Sequence, residues 1–329
     1  MEQNREEIEE KIKRAVSVFK SIEQRLEKDI IGQKVLKRRL LTALLTSGHV
    51  LLEGVPGLAK TRSIKALAES IDGSFKRVQF TPDLLPADLT GTEIYRPADG
   101  TFSIRKGPIF ANFVLADEIN RAPAKVQSAL LEIMQEHQVT IGENTLGVPE
   151  PFLVMATQNP VEQEGTYPLP EAQVDRFLMK VKVDYPSIEE ETKILNLVIE
   201  DNNSEDKKPV ASLDDIRNAQ QCLKSIYIDD RIKSYIVNLV AASRNPENFN
   251  LKFGPLLELG ASPRASISLM LAAKAEALLN GDSYVIPQNI KDVAYDILRH
   301  RIILSYEAEA RGLDTEDIIK SILDGVEVP

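Results

Sequence analysis

The sequence predicts an α/β core, a parallel sheet flanked by helices and carrying two hairpin insertions, followed by an all-α second domain. Three observations point to it. Over the first two thirds of the 329 residues, short apolar runs alternate with helix-period patterns, the signature of βαβ units. A glycine-containing loop joins the first of these runs to the helix after it. Beyond residue 209 every periodic segment is helical.

Taken in order, Ile8, Ile12, Ala15, Val16, Phe19, Ile22 and Leu26 form one stripe of a long amphipathic helix that Gly32 ends. Lys34–Ser47 reads as a second helix and His49–Glu53 as a buried strand. Further strands are expected at Arg77–Phe80, Phe113–Ala116, Phe152–Thr157 and Lys180–Asp184. Helices are expected at Thr61–Ile71 and Ala124–Glu136, the latter with Val126, Ala129, Leu130, Ile133 and Met134 on one face. Two hairpins interrupt the alternation: Glu93–Arg96 with Thr101–Arg105 across an Asp99-Gly100 turn, and Val139–Ile141 with Thr145–Val148. Residues 201–209 read as a surface loop. After it come helices at Leu213–Ile226, Asp230–Ser243, Pro263–Leu279, Pro287–Leu304 and Asp314–Leu323, with Asp214, Asp229 and Ser262 at N-cap positions. The boundary falls near Pro186, giving a core of 1–186 and a helical domain of 187–329. His49 reads as a packed or edge residue, His137 and His300 as surface positions, and Cys222 as a small core side chain.

Forty Lys and Arg against fifty Asp and Glu leave a net charge of −10, which disfavours nucleic acid and anionic membrane as partners. One cysteine and three scattered histidines offer neither a disulfide nor a zinc cluster. The charged N-terminal segment and the lack of any apolar run of about 18 residues predict no membrane span. These features fit a cytoplasmic protein.

Gly54-Val55-Pro56-Gly57-Leu58-Ala59-Lys60-Thr61 lies between a predicted strand and a predicted helix, the setting of a phosphate-binding loop. Backbone N–H groups there would cradle phosphates, Lys60 would reach the β- and γ-phosphates, and Thr61 would ligate Mg²⁺. Ala59 stands where such loops usually have glycine, and a turn with a surface lysine is the plainer alternative. Phe113-Val-Leu-Ala-Asp117-Glu118 is an apolar strand ending in two acids. In a parallel sheet that end lies beside the loop, so Asp117 could hold Mg²⁺ and Glu118 could polarise an attacking water. Alternatively, the pair caps the next helix. Asn159 should emerge at the same edge, facing the γ-phosphate and the water, unless Asn159-Pro160 is simply a turn. Arg176 and Arg264 are candidates for the positive charge that phosphoryl transfer requires.

In this order the motifs resemble those of AAA+ ATPases. Asp117-Glu-Ile-Asn-Arg-Ala-Pro, Gly54-Val-Pro-Gly-Leu-Ala-Lys-Thr61 and Ala156-Thr-Gln-Asn-Pro160 are similar to the MoxR subfamily in particular, whose loops commonly carry the alanine found at position 59. The resemblance implies Walker A contacts from Lys60 and Thr61 within a nucleotide-binding set of Gly54 to Arg62. It implies a Walker B pair of Asp117 and Glu118, sensor 1 at Asn159, a finger at Arg176 reaching a neighbour's nucleotide, and sensor 2 at Arg264. Arg121 is a further candidate for action across the interface, and Gly32-Gln33 corresponds to the adenine-side loop. The cofactors implied are ATP and Mg²⁺. The assembly implied is a hexameric ring whose two hairpins meet substrate at the pore. The role implied is chaperone-like remodelling of a protein client, often with a von Willebrand A-domain partner. An ATP-gated scaffold with little turnover uses the same residues. A nucleic-acid motor is disfavoured, because Asp88-Leu-Thr-Gly-Thr-Glu-Ile-Tyr lacks the activator loop and the chain has no basic footprint.

Overall fold

The structure, a computed structural model, describes residues 2–54, 60–98, 100–160, 165–200 and 208–329. Most of the expected 201–209 loop, up to residue 207, and Asp99 of the first hairpin turn lie outside the described residues.

Five strands form the central sheet: β1 (Val50–Glu53), β2 (Phe75–Gln79), β5 (Phe113–Asp117), β8 (Leu153–Gln158) and β9 (Met179–Lys182), in the order β2-β5-β8-β1-β9. Along the chain, the hairpin β3 (Gly91–Arg96) and β4 (Thr101–Lys106) is inserted after β2 and before β5, and the hairpin β6 (Gln138–Ile141) and β7 (Asn144–Gly147) after β5 and before β8; each is a separate two-stranded sheet. The pairings β2–β5, β5–β8 and β1–β8 are parallel. Strands β5 and β8 are buried almost throughout, as continuous apolar strands covered on both faces must be. The helices of this part are α1 (Glu2–Asp29), α2 (Lys34–Leu45), α3 (Lys60–Ser70), the short α4 (Pro86–Thr90), α5 (Ala124–Glu136), the short α6 (Glu171–Val174) and α7 (Ile188–Glu200). The α1 stripe of Ile12, Ala15, Phe19, Ile22 and Leu26 is buried. Helix α7 was not expected from the sequence.

The chain divides into two compact units. One takes Val18–Arg176 and Val181–Arg217; the other takes the chain up to Ser17, Phe177–Lys180 and Asn218–Pro329. From residue 213 onward lie α8 (Leu213–Leu223), α9 (Asp230–Ala242), α10 (Pro263–Asn280), α11 (Pro287–Leu298), α12 (Tyr306–Ala310) and α13 (Thr315–Gly325), with an antiparallel pair of β10 (Leu257–Leu259) and β11 (Ile303–Leu304). Asp229 and Ser262 cap α9 and α10 as expected.

Four expectations need correction here. The helix expected over Pro287–Leu304 stops at Leu298, because Ile303 and Leu304 pair with β10 instead; their apolar spacing only imitates another turn. Asp214 sits inside the first turn of α8, and Ser212 does the capping, exchanging hydrogen bonds with Asp215. His300 is buried, not exposed: its Nε2 lies 3.3 Å from the Phe177 carbonyl oxygen. Beside it, buried Arg301 donates to the carbonyls of Phe177, Leu178 and Ile297, and Arg299 donates to that of Lys180. Backbone carbonyls therefore draw in a run of basic residues that looks like a solvated helix end. His137 is also not a free surface residue; it is half-buried, with its ring 6.0 Å from Phe152.

His49 is packed as expected. Its Nε2 bonds the Met134 carbonyl and its Nδ1 accepts from the Val154 N–H, which fixes a neutral ring; burial lowers its pKa to about 4. Cys222 is buried and free.

Candidate functional site

Parallel strands deliver their carboxyl ends to one edge. Register places Glu53 opposite Gln158 and Gln79 opposite Asp117, so Gly54, Asp117-Glu118 and Asn159 leave the sheet on the same side. Gly54 packs so closely that a Cβ there would lie 2.6 Å from the Val183 carbonyl oxygen. A side chain at that point would push the loop away from the sheet. Val55, Pro56, Gly57, Leu58 and Ala59 lie outside the described residues. Lys60 opens α3, with half-buried Thr61 and Arg62 in its first turn. The Lys60 ammonium donates to the Gly54 carbonyl oxygen. Burial lowers its pKa, opposed by the nearby charges of Asp117, Glu118 and Glu53. A polyanion bound there would restore the lysine's preference for charge.

Asp117 ends β5, largely shielded from solvent. Its Oδ1 accepts from the Thr157 hydroxyl at 2.7 Å, and its Oδ2 from Arg77 Nη2 at 2.6 Å and Nε at 3.1 Å. Glu118 turns out of the strand at φ 56°. Its backbone N–H donates to Thr157 Oγ1 at 2.8 Å, and its Oε2 accepts from Gln79 Nε2 at 2.8 Å and pairs with Arg121 Nε at 3.1 Å. The alternative reading, that the two acids cap the helix after them, does not describe this geometry: both carboxylates are held by β2, β8 and Arg121, and Pro123 sits at the N-cap of α5. Arg121 meets Glu118 of its own chain. Asn159 is buried just past β8.

The structure thus brings Gly54, Lys60, Asp117, Glu118 and Arg121 together, with Asn159 at the same edge. Arg176 is half-buried after α6, outside this bonded group, its N–H donating to the Gln173 carbonyl. Arg264 is exposed in the first turn of α10, in the other unit. Gly32 and Gln33 both take left-handed backbone (φ 66° and 49°), and the Gln33 amide donates to the Asp184 carbonyl at 3.0 Å. The positive φ favours glycine at position 32, and a Cβ there, 2.6 Å from the Glu190 carboxylate, would make that flexible side chain move aside.

Sequence reasoning missed Arg77, Gln79 and Thr157. The signals were present: two polar residues two apart on a strand share a face, and Thr157 is a lone hydroxyl ending an apolar run. What was missing was the knowledge that β2 and β8 flank β5.

Comparison with known proteins gives the family of this fold. Residues 49–179 match the ATPase family associated with various cellular activities (AAA), and residues 254–322 match an AAA lid domain. The chain is 48% identical over 301 residues to the chaperone MoxR1 of Mycobacterium tuberculosis, covering 91% of this chain and 79% of that one. It is 47% identical to YeaC of Bacillus subtilis, covering 93% of each. A crystal structure of a Cytophaga hutchinsonii protein matches it with a TM-score of 0.93 at 49% identity over 99% of both chains. The nucleotide-binding fold is accordingly an AAA+ core followed by a helical lid, and the chain belongs to the MoxR family of AAA+ ATPases.

Proposed function

We propose that this protein is an Mg²⁺-dependent ATPase, with a core of 1–186 and a lid of 187–329, working in the cytoplasm as a hexameric ring that remodels or matures a protein client. The observation that carries this reading is the convergence of Lys60, Asp117 and Glu118 at the carboxyl edge of the sheet.

The loop from Gly54 to Arg62 would hold the phosphates, with Lys60 on the β/γ side and Gly32-Gln33 toward the base. Thr61 and Asp117 supply hard oxygen donors of the kind Mg²⁺ takes, and a carboxylate held from one side by Thr157 is already oriented for it. When bound, Mg²⁺ neutralises phosphate charge. Glu118 would orient and polarise the attacking water, and Asn159 would fix that water against the γ-phosphate. Arg176 would complete a neighbour's site, and Arg264 would report nucleotide to the lid. The first hairpin supports a client-contacting role, because Tyr95 and Phe102 pair across it, ring centroids 5.3 Å apart, while remaining 53% and 67% exposed. A von Willebrand A-domain protein is one candidate partner.

The test is ATPase activity per subunit, with Mg²⁺, across about a hundredfold range of protein concentration, a span wide enough to cross an assembly equilibrium. Activity that rises and saturates supports a site finished by Arg176 of a neighbour. Flat, appreciable activity from a species that sizing shows to be monomeric contradicts the ring. Tight nucleotide binding with negligible turnover at every concentration favours the scaffold reading, which the full engagement of both acids by side chains of their own chain also fits.

A further inference from the structure

Asp117 already has a cation. The Arg77 guanidinium lies on one oxygen, Oδ2, through two nitrogens at 2.6 and 3.1 Å, while the other oxygen is taken by Thr157. The two sides of this arrangement differ in freedom. Thr157 is buried in the central strand β8. Arg77 projects from the edge strand β2, and its side chain is 51% exposed against 16% for Asp117. A long, half-exposed arginine can swing into water, whereas a buried hydroxyl cannot. The guanidinium neutralises the carboxylate that a divalent ion needs.

We infer that Arg77 is a resident counter-ion that Mg²⁺ must displace from Asp117, so that Arg77 sets the Mg²⁺ concentration at which the site loads. The inference rests on the reading of Asp117 as the metal-side carboxylate. Nη2 of Arg77 also lies 3.2 Å from Gln79 Oε1, and Gln79 holds Glu118, so release of Arg77 frees the partner of the second acid as well. The opposite role is chemically distinct: an arginine that merely aims Asp117 at the metal would favour Mg²⁺, and its loss would weaken metal binding. The sign of the effect therefore separates displacement from orientation.

The experiment measures affinity for a fluorescent, non-hydrolysable ATP analogue, first in excess chelator and then as free Mg²⁺ is raised, for the wild type, Arg77→Gln and Arg77→Lys. Thermal unfolding checks that each variant is folded. Displacement predicts that Arg77→Gln lowers the Mg²⁺ midpoint by about 3- to 10-fold, the scale of one partly screened charge-assisted pair. Metal-free nucleotide affinity should fall, by about 2- to 10-fold, because the carboxylate left uncompensated near Lys60 repels the phosphates. Arg77→Lys keeps the charge but loses the two-nitrogen grip, and falls between; if Arg77→Gln does not fold, a smaller downward shift in Arg77→Lys carries the result. A midpoint that is unchanged or raised, with the wild type responding to Mg²⁺, overturns the inference alone. A wild type that binds the analogue without any response to Mg²⁺ overturns the Asp117 reading and the inference with it.

Discussion

Asp117 and Glu118 at the carboxyl edge of the sheet, and Arg299 and Arg301 in the other unit, are both charged groups held in place by the fold, yet they are held in different ways. The acids remain open to water at one side and are answered by side chains that can move, among them Arg77 and Arg121. The arginines are sealed in. Arg301 is 5% exposed and spends its guanidinium on the carbonyls of Phe177, Leu178 and Ile297 and on the Ser268 hydroxyl, while Arg299 pairs with Asp296 and Glu316. Charges committed to backbone carbonyls have no ligand left to find. Charges gathered with mobile opposite charges at a strand end keep partners that can exchange, and that contrast is what marks Asp117 and Glu118 as candidates for the proposed chemistry.

The contrast can be broken at three places. Removing the sealed guanidinium should have the largest effect on the fold: Arg301→Ala leaves several buried carbonyls unmatched and should cost about 3 kcal/mol or more in chemical denaturation. A loss within experimental error would mean that water replaces the arginine and that the site is not sealed. The next effect comes from His49, whose pKa in the fold is held at about 4, below the ordinary 6.5. A depressed histidine stabilises the fold fully above the unfolded value and loses that contribution as pH falls through the interval between the two. The expected loss is about 1.5 kcal/mol between roughly pH 6.5 and pH 5, absent from His49→Gln when the two are compared by urea unfolding at both pH values. Equal slopes would place the acid sensitivity elsewhere. The smallest effect belongs to Arg77→Gln, which should change stability by less than about 1 kcal/mol, as for other half-exposed pairs, although it touches the carboxylate of the proposed metal site.

The sequence made legible what is local. The strand Val50–Glu53, the helix Lys60–Ser70 and the apolar strand Phe113–Asp117 each stand within one residue of where the local pattern puts them; Val55 to Ala59 of the loop lie outside the described residues. Strand order is not local. Arg77, Gln79 and Thr157 meet Asp117 and Glu118 only because β2 and β8 lie either side of β5, and nothing within any one of those strands announces its neighbours. The buried Arg299-His300-Arg301 run was illegible for a similar reason: its partners are carbonyls more than a hundred residues earlier. The β10–β11 pairing, likewise, is fixed by contact between distant segments and not by the spacing of Ile303 and Leu304.

The most direct test of the account pairs two substitutions at the sheet edge and reads nucleotide binding and turnover for each. Lys60→Ala should abolish binding of ATP in calorimetry, since it removes the phosphate-side charge. Glu118→Gln should bind ATP with near wild-type affinity yet lose about 10²- to 10⁴-fold in hydrolysis, the usual contribution of a positioned base. Wild-type affinity in Lys60→Ala, or undiminished turnover in Glu118→Gln, would contradict the claim that ATP is bound and cleaved at the carboxyl edge of this sheet.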